Sequence, residues 1–282
     1  MNLTWLTGAN GLIGNYLVQA APKFAPQTEI RALTRADFDL LDFAAVERAF
    51  QKDRPQRVIH CAAMTSVADV QKNPALARRV NVEVTRFLAD LAAEIQFVFF
   101  STDLVFDGRK GNYVETDKTN PLHVYGETKV AAEEIVLKNP RHLVVRTSLN
   151  GGVSRAGNAF DEQLRRSLPS AGQGMTLFTD EFRCPIPAVE TARAVWELTG
   201  KNGAGIFHVA GAEKLSRFQI GQLLVQRWPE IKTEIKSGSA KEFVGPPRAL
   251  DTSLDISKVQ KILSRPLPKF SEWLAKNPDA EI

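Results

Sequence analysis

Short apolar runs alternate with longer stretches of helical periodicity through the first half of the chain. Residues 3–6, 29–33, 57–61, 96–100 and 143–147 read as strands. Gln96-Phe97-Val98-Phe99-Phe100 has no polar alternation, which predicts a central strand buried on both faces. Between the strands lie helical patterns. One runs over 12–21 and stops at Pro22, one starts after the capping residue Asp42, and a long one spans about 75–94 and carries Asn81. Another passes through Tyr125 and meets no breaker before Pro140. Regular strand–helix alternation predicts an α/β fold, a doubly wound parallel sheet of Rossmann type.

After Ser148 the rhythm loosens. Turns at 150–152 and 172–174 flank a predicted helix over 159–168, and strands near 176–178 and 206–209 are expected to return to the sheet. Further helices are predicted over 187–198, 217–228 and 256–263, with the polar stretch Pro246-Pro247-Arg248 between the last two. The division expected is a dinucleotide-binding domain, 1–148, and a smaller C-terminal substrate-binding lobe, 149–282. No internal repeat or low-complexity segment interrupts it.

Composition narrows the class. A chain of 282 residues with 44% hydrophobic and 24% charged positions is ordinary for a soluble globular protein. No run approaches the ~20 apolar residues of a membrane span, and the N-terminus reads as a strand rather than a signal peptide. Cys61 and Cys184 supply neither a disulfide framework nor a zinc site, which fits a reducing, cytoplasmic compartment. The net charge of +4 is spread along the chain, without the basic block of a nucleic-acid face.

Candidate chemistry begins at Thr7-Gly8-Ala9-Asn10-Gly11-Leu12-Ile13-Gly14, set between a strand and a helix. Gly8 allows a tight turn, Gly11 lets a pyrophosphate approach the backbone, and Gly14 lets helix and strand pack closely. The helix start offers amide donors and a positive dipole end. After the second strand, Arg35 stands where a ribose-binding carboxylate would select NAD, so NADPH is favoured; Asp37 nearby keeps NADH as a second candidate. Ala62, Ala63 and Met64 end the third strand with side chains that suit either a flat cofactor or core packing, and His60 reads as a core residue. Ser101-Thr102-Asp103 lie at the C-terminal end of the central strand, where open α/β sheets bind ligands. Tyr125 and Lys129 share one helical face, so the ammonium can favour the phenolate.

Together these motifs resemble the extended short-chain dehydrogenase/reductases, and more closely the dTDP-4-dehydrorhamnose reductase family. The resemblance rests on the glycine turn, Asn81-Val82-Glu83-Val84-Thr85, and Ser101 through Gly108. It continues with Pro121 through Lys129, Arg146-Thr147-Ser148, and the Arg248 to Asp255 string. It implies that Tyr125 protonates the C4 carbonyl of a nucleotide-linked keto sugar, while Lys129 tunes the phenol and holds the nicotinamide ribose. Thr102 would bind the substrate oxygen, and Asn81 would support a relay water. Leu40, Leu41, Ala62, Ala63 and Met64 would line the adenosine, with Ser101 also on the cofactor side. Asp103, Ser148, Leu149 and Arg248 would face the substrate, Arg248 across the cleft at the diphosphate.

The chain departs from the family at Leu104, at Leu149 (commonly Trp), and at Phe182-Arg183-Cys184-Pro185, where a Gly is usual before a Pro-Thr pair. The alternatives are a nucleotide-sugar epimerase or dehydratase, and a non-catalytic NADP-binding subunit like that of methionine adenosyltransferase. Asp103-Leu104 lacks the Asp-Glu pair of a dehydratase. Expected partners are a nucleotide sugar and no nucleic acid or membrane, with a homodimer left open.

Overall fold

Apolar side chains alternating across each strand divide the core between two faces of one sheet. In the computed structural model, which describes residues 2–153, 175–228, 234–245 and 247–280, β1 (Asn2–Thr7) leads through α1 (Leu12–Phe24) to β2 (Thr28–Leu33). Then come α2 (Phe43–Asp53), β3 (Arg57–His60), α3 (Val67–Lys72), α4 (Pro74–Arg78) and α5 (Val84–Leu91). β4 (Gln96–Thr102), α6 (Val124–Val136) and β5 (Leu143–Thr147) complete the first half. The second half contains short strands β6 (Asn150–Gly151), β7 (Met175–Phe178), β8 (Phe182–Arg183) and β9 (Ile186–Pro187). Helix Ala188–Gly200, β10 (Gly205–Val209), β11 (Leu215–Ser216), helix Arg217–Arg227 and β12 (Ile235–Gly238) follow.

The main sheet is parallel, ordered β10-β5-β4-β3-β1-β2. Leu6, Val98, Phe100, Leu143 and Val145 point to one face, where Leu17 of α1 meets Val195 and Trp196 of helix Ala188–Gly200. Trp5, Phe97, Phe99 and Val144 point to the other face, against Val46 of α2, Leu88 of α5 and Val136 of α6. Helices on both faces make the sheet doubly wound, as its strand–helix alternation predicts. Because β1 and β3 are neighbours while the chain leaves them in opposite directions, a crevice opens at their C-terminal ends.

Several elements differ from the sequence expectation. The strand at 175–178 does not return to the main sheet; it pairs with β12, and both lie over Gly221 of helix Arg217–Arg227 through Leu177 and Ile235. Its apolar face is covered there, so it has no need of the main sheet. The strand at 205–209 does return, beside β5. Pro22 sits in the last turn of α1, where losing one backbone donor does not stop the helix. The long helix around Asn81 is broken into α4, a wide π turn at Arg79–Glu83, and α5. The helix expected over 256–263 is the single turn Ser257–Gln260, and Phe270–Lys276 forms a helix not anticipated. The helix expected at 159–168 and the turn at 172–174 lie outside the described residues. Among the described residues no helix is long and apolar enough to cross a membrane.

One buried ion pair ties the sheet to the helix that carries Tyr125. Arg146 of β5 donates from Nε and Nη2 to Glu133 of α6 at 3.0 and 2.7 Å, with both side chains almost wholly buried. The guanidinium also lies over the Phe106 ring at 5.1 Å. Arg146→Met would leave the Glu133 carboxylate buried without its partner, so stability should fall by about 3–5 kcal/mol. Urea unfolding followed by circular dichroism measures this, and an unchanged midpoint would show the pair to be dispensable.

Candidate active site

The crevice starts at the turn after β1. Gly8 takes φ +69, and a Cβ there would stand 2.6 Å from the Ala62 backbone nitrogen, so the two loops meet backbone to backbone. A Cβ on Gly14 would overlap the Gly8 carbonyl oxygen, so only glycine seats α1 against its own turn. Gly11 caps α1 with no side-chain hydrogen bond and no acidic residue follows in the first turn, which leaves the positive end of the helix open to an anion. Asn10 and Gly11 are exposed there, and Leu12 and Ile13 are half-buried. These features fit the pyrophosphate of a dinucleotide.

At the end of β2, Arg35 is exposed and, among the described residues, makes no ion pair. Asp37 is occupied: its carboxylate accepts from the Thr34 backbone and hydroxyl at 2.9 and 3.0 Å, which holds its pKa low with help from Arg31. The carboxylate that could have held a ribose hydroxyl therefore serves a turn, and the cation is free. Leu40 and Leu41 pack against the cluster around Trp5 and Val46.

Tyr125 and Lys129, one turn apart on α6, are both buried. Burial pushes the Tyr125 phenol above its usual pKa, the neighbouring Thr102 hydroxyl pulls it back, and the Asp103 charge raises it further. Lys129 stands one helical turn further along the same face of α6. Its ammonium lies 4.1 Å from the centre of the Phe99 ring and is brought down to about 7 by burial, opposed by Glu133 and Cys61. His60, whose Nδ1 shares a 2.7 Å hydrogen bond with the Thr7 hydroxyl, is lowered to about 3 by burial and by Lys129. It stays neutral, as a core residue should. The buried Ser101 hydroxyl, at the end of β4, has no partner among the described residues.

The Asn81 side chain, expected to support a relay water, is engaged with the backbone of the 62–64 loop. Its carbonyl oxygen accepts from the Met64 backbone nitrogen at 2.8 Å, and its amide donates to the Met64 oxygen and the Thr128 hydroxyl, both at 3.0 Å. Thr128 in turn donates to the Tyr125 carbonyl at 2.7 Å. Both amide hydrogens are used, so Asn81 braces the 62–64 loop against α6. The π turn supplies the extra backbone that lets this side chain reach inward.

Asp103 is likewise no free substrate ligand. It is 5% exposed and accepts from Thr102 at 3.2 Å, Ser148 at 2.8 Å and Thr252 at 2.9 Å, with Arg183 at 3.6 Å. Arg183 reaches Glu181 at 3.1 Å, and Glu181 also holds Arg217 at 3.1 Å and Arg248 at 2.6 Å. Arg248 is one-third exposed, and its charge reaches His123, two residues before Tyr125. Leu149 packs with Phe270 in the lobe cluster. Sequence reasoning missed Thr252, Arg183, Glu181 and His123. The unusual Arg183 was the available signal, since a buried arginine must have carboxylates facing it.

Residues 1–280 match the family model described as RmlD substrate binding domain. The chain belongs to the dTDP-4-dehydrorhamnose reductase family of extended short-chain dehydrogenase/reductases. It is 30% identical over 282 residues to a dTDP-4-dehydrorhamnose reductase of Sinorhizobium fredii, covering 95% of this chain and 93% of that protein. It is 27% identical over 271 residues to methionine adenosyltransferase 2 subunit beta of Xenopus laevis, covering 91% and 81%. The crystal structure of a dTDP-4-dehydrorhamnose reductase from Bacillus anthracis in complex with NADP superposes with a TM-score of 0.86 at 25% identity, covering 98% of each chain. Arg183 stands between Asp103 and Glu181 and joins the two carboxylates in one buried network.

The lowered Lys129 gives a test of this geometry. A lysine protonated to about 7 when folded and to about 10.4 when unfolded binds fewer protons in the native state between those limits. Its contribution therefore rises with pH across that window, by up to about 1.4 kcal/mol per pH unit, and the full cost of charging it applies below 7. Stability of the native protein relative to Lys129→Met should improve from pH 7 to pH 9, measured by urea unfolding. A difference that does not change with pH would mean that Lys129 is not held in this buried setting.

Proposed function

We propose that the protein reduces the 4-keto group of a nucleotide-linked deoxy sugar, with NADPH as the reductant. The observation that carries this is the buried Tyr125 phenol, beside the Thr102 hydroxyl and one helical turn from Lys129, at the carboxyl end of the sheet. Residues 1–148 are read as the cofactor domain and 149–282 as the substrate-binding lobe. NADPH, when bound, supplies the hydride.

The raised phenol pKa suits this direction of reaction, because a proton donor must hold its proton at neutral pH. As negative charge builds on the keto oxygen, Tyr125 transfers its proton to that atom. Thr102 has one hydroxyl hydrogen, poised between Asp103 and the phenol, and turning it to the phenol oxygen stabilises the charge left there. The Lys129 ammonium adds positive charge to the same site and is placed to hold the nicotinamide ribose. The Gly8–Gly14 turn receives the pyrophosphate, Arg35 the 2′-phosphate, and Ala62, Ala63 and Met64 border the adenosine. On the substrate side, Ser148 is held beside Asp103 and Arg248 offers its guanidinium to the diphosphate. The free cysteines are consistent with a cytoplasmic setting.

A dehydratase reading is disfavoured because Asp103 has its oxygens engaged by Ser148, Thr252 and Thr102 and is followed by Leu104. The second reading, a regulatory subunit that binds NADP without turnover, draws on the likeness to methionine adenosyltransferase 2 subunit beta. Oxidation of NADPH by a nucleotide 4-keto sugar, followed by absorbance, separates the two: no turnover with any such sugar would leave only the binding role.

Tyr125→Phe should lower turnover by roughly 10²–10⁴-fold while NADPH affinity stays within about twofold, since the hydroxyl acts on charge formed in the transition state. Normal turnover in that variant would remove Tyr125 as the donor. Arg35→Asp should reverse the preference for NADPH over NADH in equilibrium binding. An unchanged ratio would mean that Arg35 does not face the ribose.

A further inference from the structure

We propose that Arg183 is a positioning residue for proton transfer: from a fixed seat it draws the Asp103 charge toward Oδ2 and so leaves the Thr102 hydrogen free to turn to Tyr125. This rests on the reductase reading above and adds a residue to it. A hydroxyl has one hydrogen to give and two lone pairs to receive with. Thr102 Oγ1 accepts from the Leu104 backbone N–H at 3.2 Å and donates to Asp103 Oδ1, also at 3.2 Å. At rest its hydrogen is therefore committed to Asp103, and donation to the phenol oxygen requires Asp103 to release it.

Asp103 uses its two oxygens unequally. Oδ2 accepts from Ser148 at 2.8 Å and from Thr252 at 2.9 Å, and it faces Arg183 Nε at 3.6 Å. Oδ1 has the Thr102 hydroxyl alone among the described residues, through the longest of the three hydrogen bonds. Donors and a cation gathered at one oxygen polarise the carboxylate toward it, so the bond to Thr102 is the one that yields. Arg183 is held in place by its other nitrogens. Nη1 donates to the Phe182 and Ala249 carbonyls at 2.7 and 3.0 Å, Nη2 pairs with Glu181 at 3.1 Å, and the side chain is buried. A cation pinned in this way needs no rearrangement when charge shifts at neighbouring atoms. Glu181 already has Arg217 and Arg248 as counter-charges, whereas Arg183 is the cation paired with Asp103 among the described residues. The Asp103 charge also makes the phenol reluctant to give up its proton, and the guanidinium offsets that same charge.

The test is NADPH oxidation with dTDP-4-dehydrorhamnose, in H2O and in D2O, by the full-length native protein, Arg183→Lys and Thr252→Val, with NADPH affinity and urea unfolding measured alongside. Lysine keeps the charge but lacks the fork that meets Asp103, Glu181 and two carbonyls together. Valine keeps the shape of Thr252 and removes one donor from Oδ2. Both variants should lower kcat, Arg183→Lys by roughly tenfold or more and Thr252→Val by about three- to tenfold, with KM and NADPH affinity within about twofold of native. The solvent isotope effect on kcat should grow in both, because the Tyr125 and Thr102 hydroxyl hydrogens exchange with solvent and their movement becomes the slower event. A mere loss of well-folded protein lowers kcat and leaves that effect as it was. Native kcat in Arg183→Lys, or a lowered kcat with the native isotope effect in both variants, overturns the proposal and leaves the reductase reading standing. If Arg183→Lys does not fold, Thr252→Val decides: a larger isotope effect supports the role, and the native value overturns it. No NADPH oxidation by the native protein with this sugar would remove the reductase reading itself, and the role of Arg183 with it.

Discussion

Asp103 is the point on which the cleft depends. It follows Thr102 at the end of the central strand and is buried, so its charge must be answered locally or the cleft would not close around it. The answers come from three distant parts of the chain: Ser148 just past β5, Arg183 in β8 and Thr252 in the C-terminal segment. The same segment is bridged in parallel to Tyr113 and Phe182, so it is threaded between the 104–120 loop and the lobe. One carboxylate thus sets where the lobe sits relative to the Thr102 hydroxyl.

The buried charges of the site fall into two kinds. Glu133 with Arg146, and Glu181 with its three arginines, are compensated by short, directed contacts. Lys129 has only distant compensation: Glu133 is already engaged by Arg146, and the nearest aromatic face belongs to Phe99. Low local dielectric makes that ammonium costly to keep. Structural pairs are closed by ion pairs, whereas among the described residues Lys129 makes no ion pair and rests on an aromatic face, which is the pattern that sites under functional constraint show.

The fold was legible wherever a local pattern decided the outcome. The strands of the main sheet, the glycine turn and the Tyr125–Lys129 helix are each written in a few neighbouring residues. The asymmetry of Arg35 and Asp37 could be read, though not that Thr34 captures the carboxylate. What stayed hidden is non-local. Nothing near Thr252 points to Asp103, and nothing near Asn81 announces a π turn, because both arise from a tertiary partner. The placement of 175–178 failed for the same reason: four residues suffice to name a strand but not its neighbour. Arg183 was visible as a departure, and only the fold shows that two carboxylates receive it.

The side chain of Asn81 behaves as a piece of backbone. Its amide offers the 62–64 loop the same donor and acceptor that a neighbouring strand would, and its second hydrogen fastens that loop to Thr128. Aspartate could not donate, and glutamine would have to find room for another methylene beside a packed helix. The cofactor-side loop and the Tyr125 helix are therefore joined as one rigid body at this point. Changes among the residues after Ser148 can occur without altering the contacts that join the 62–64 loop to α6. The brace between loop and helix is thereby insulated from variation in the second half of the chain.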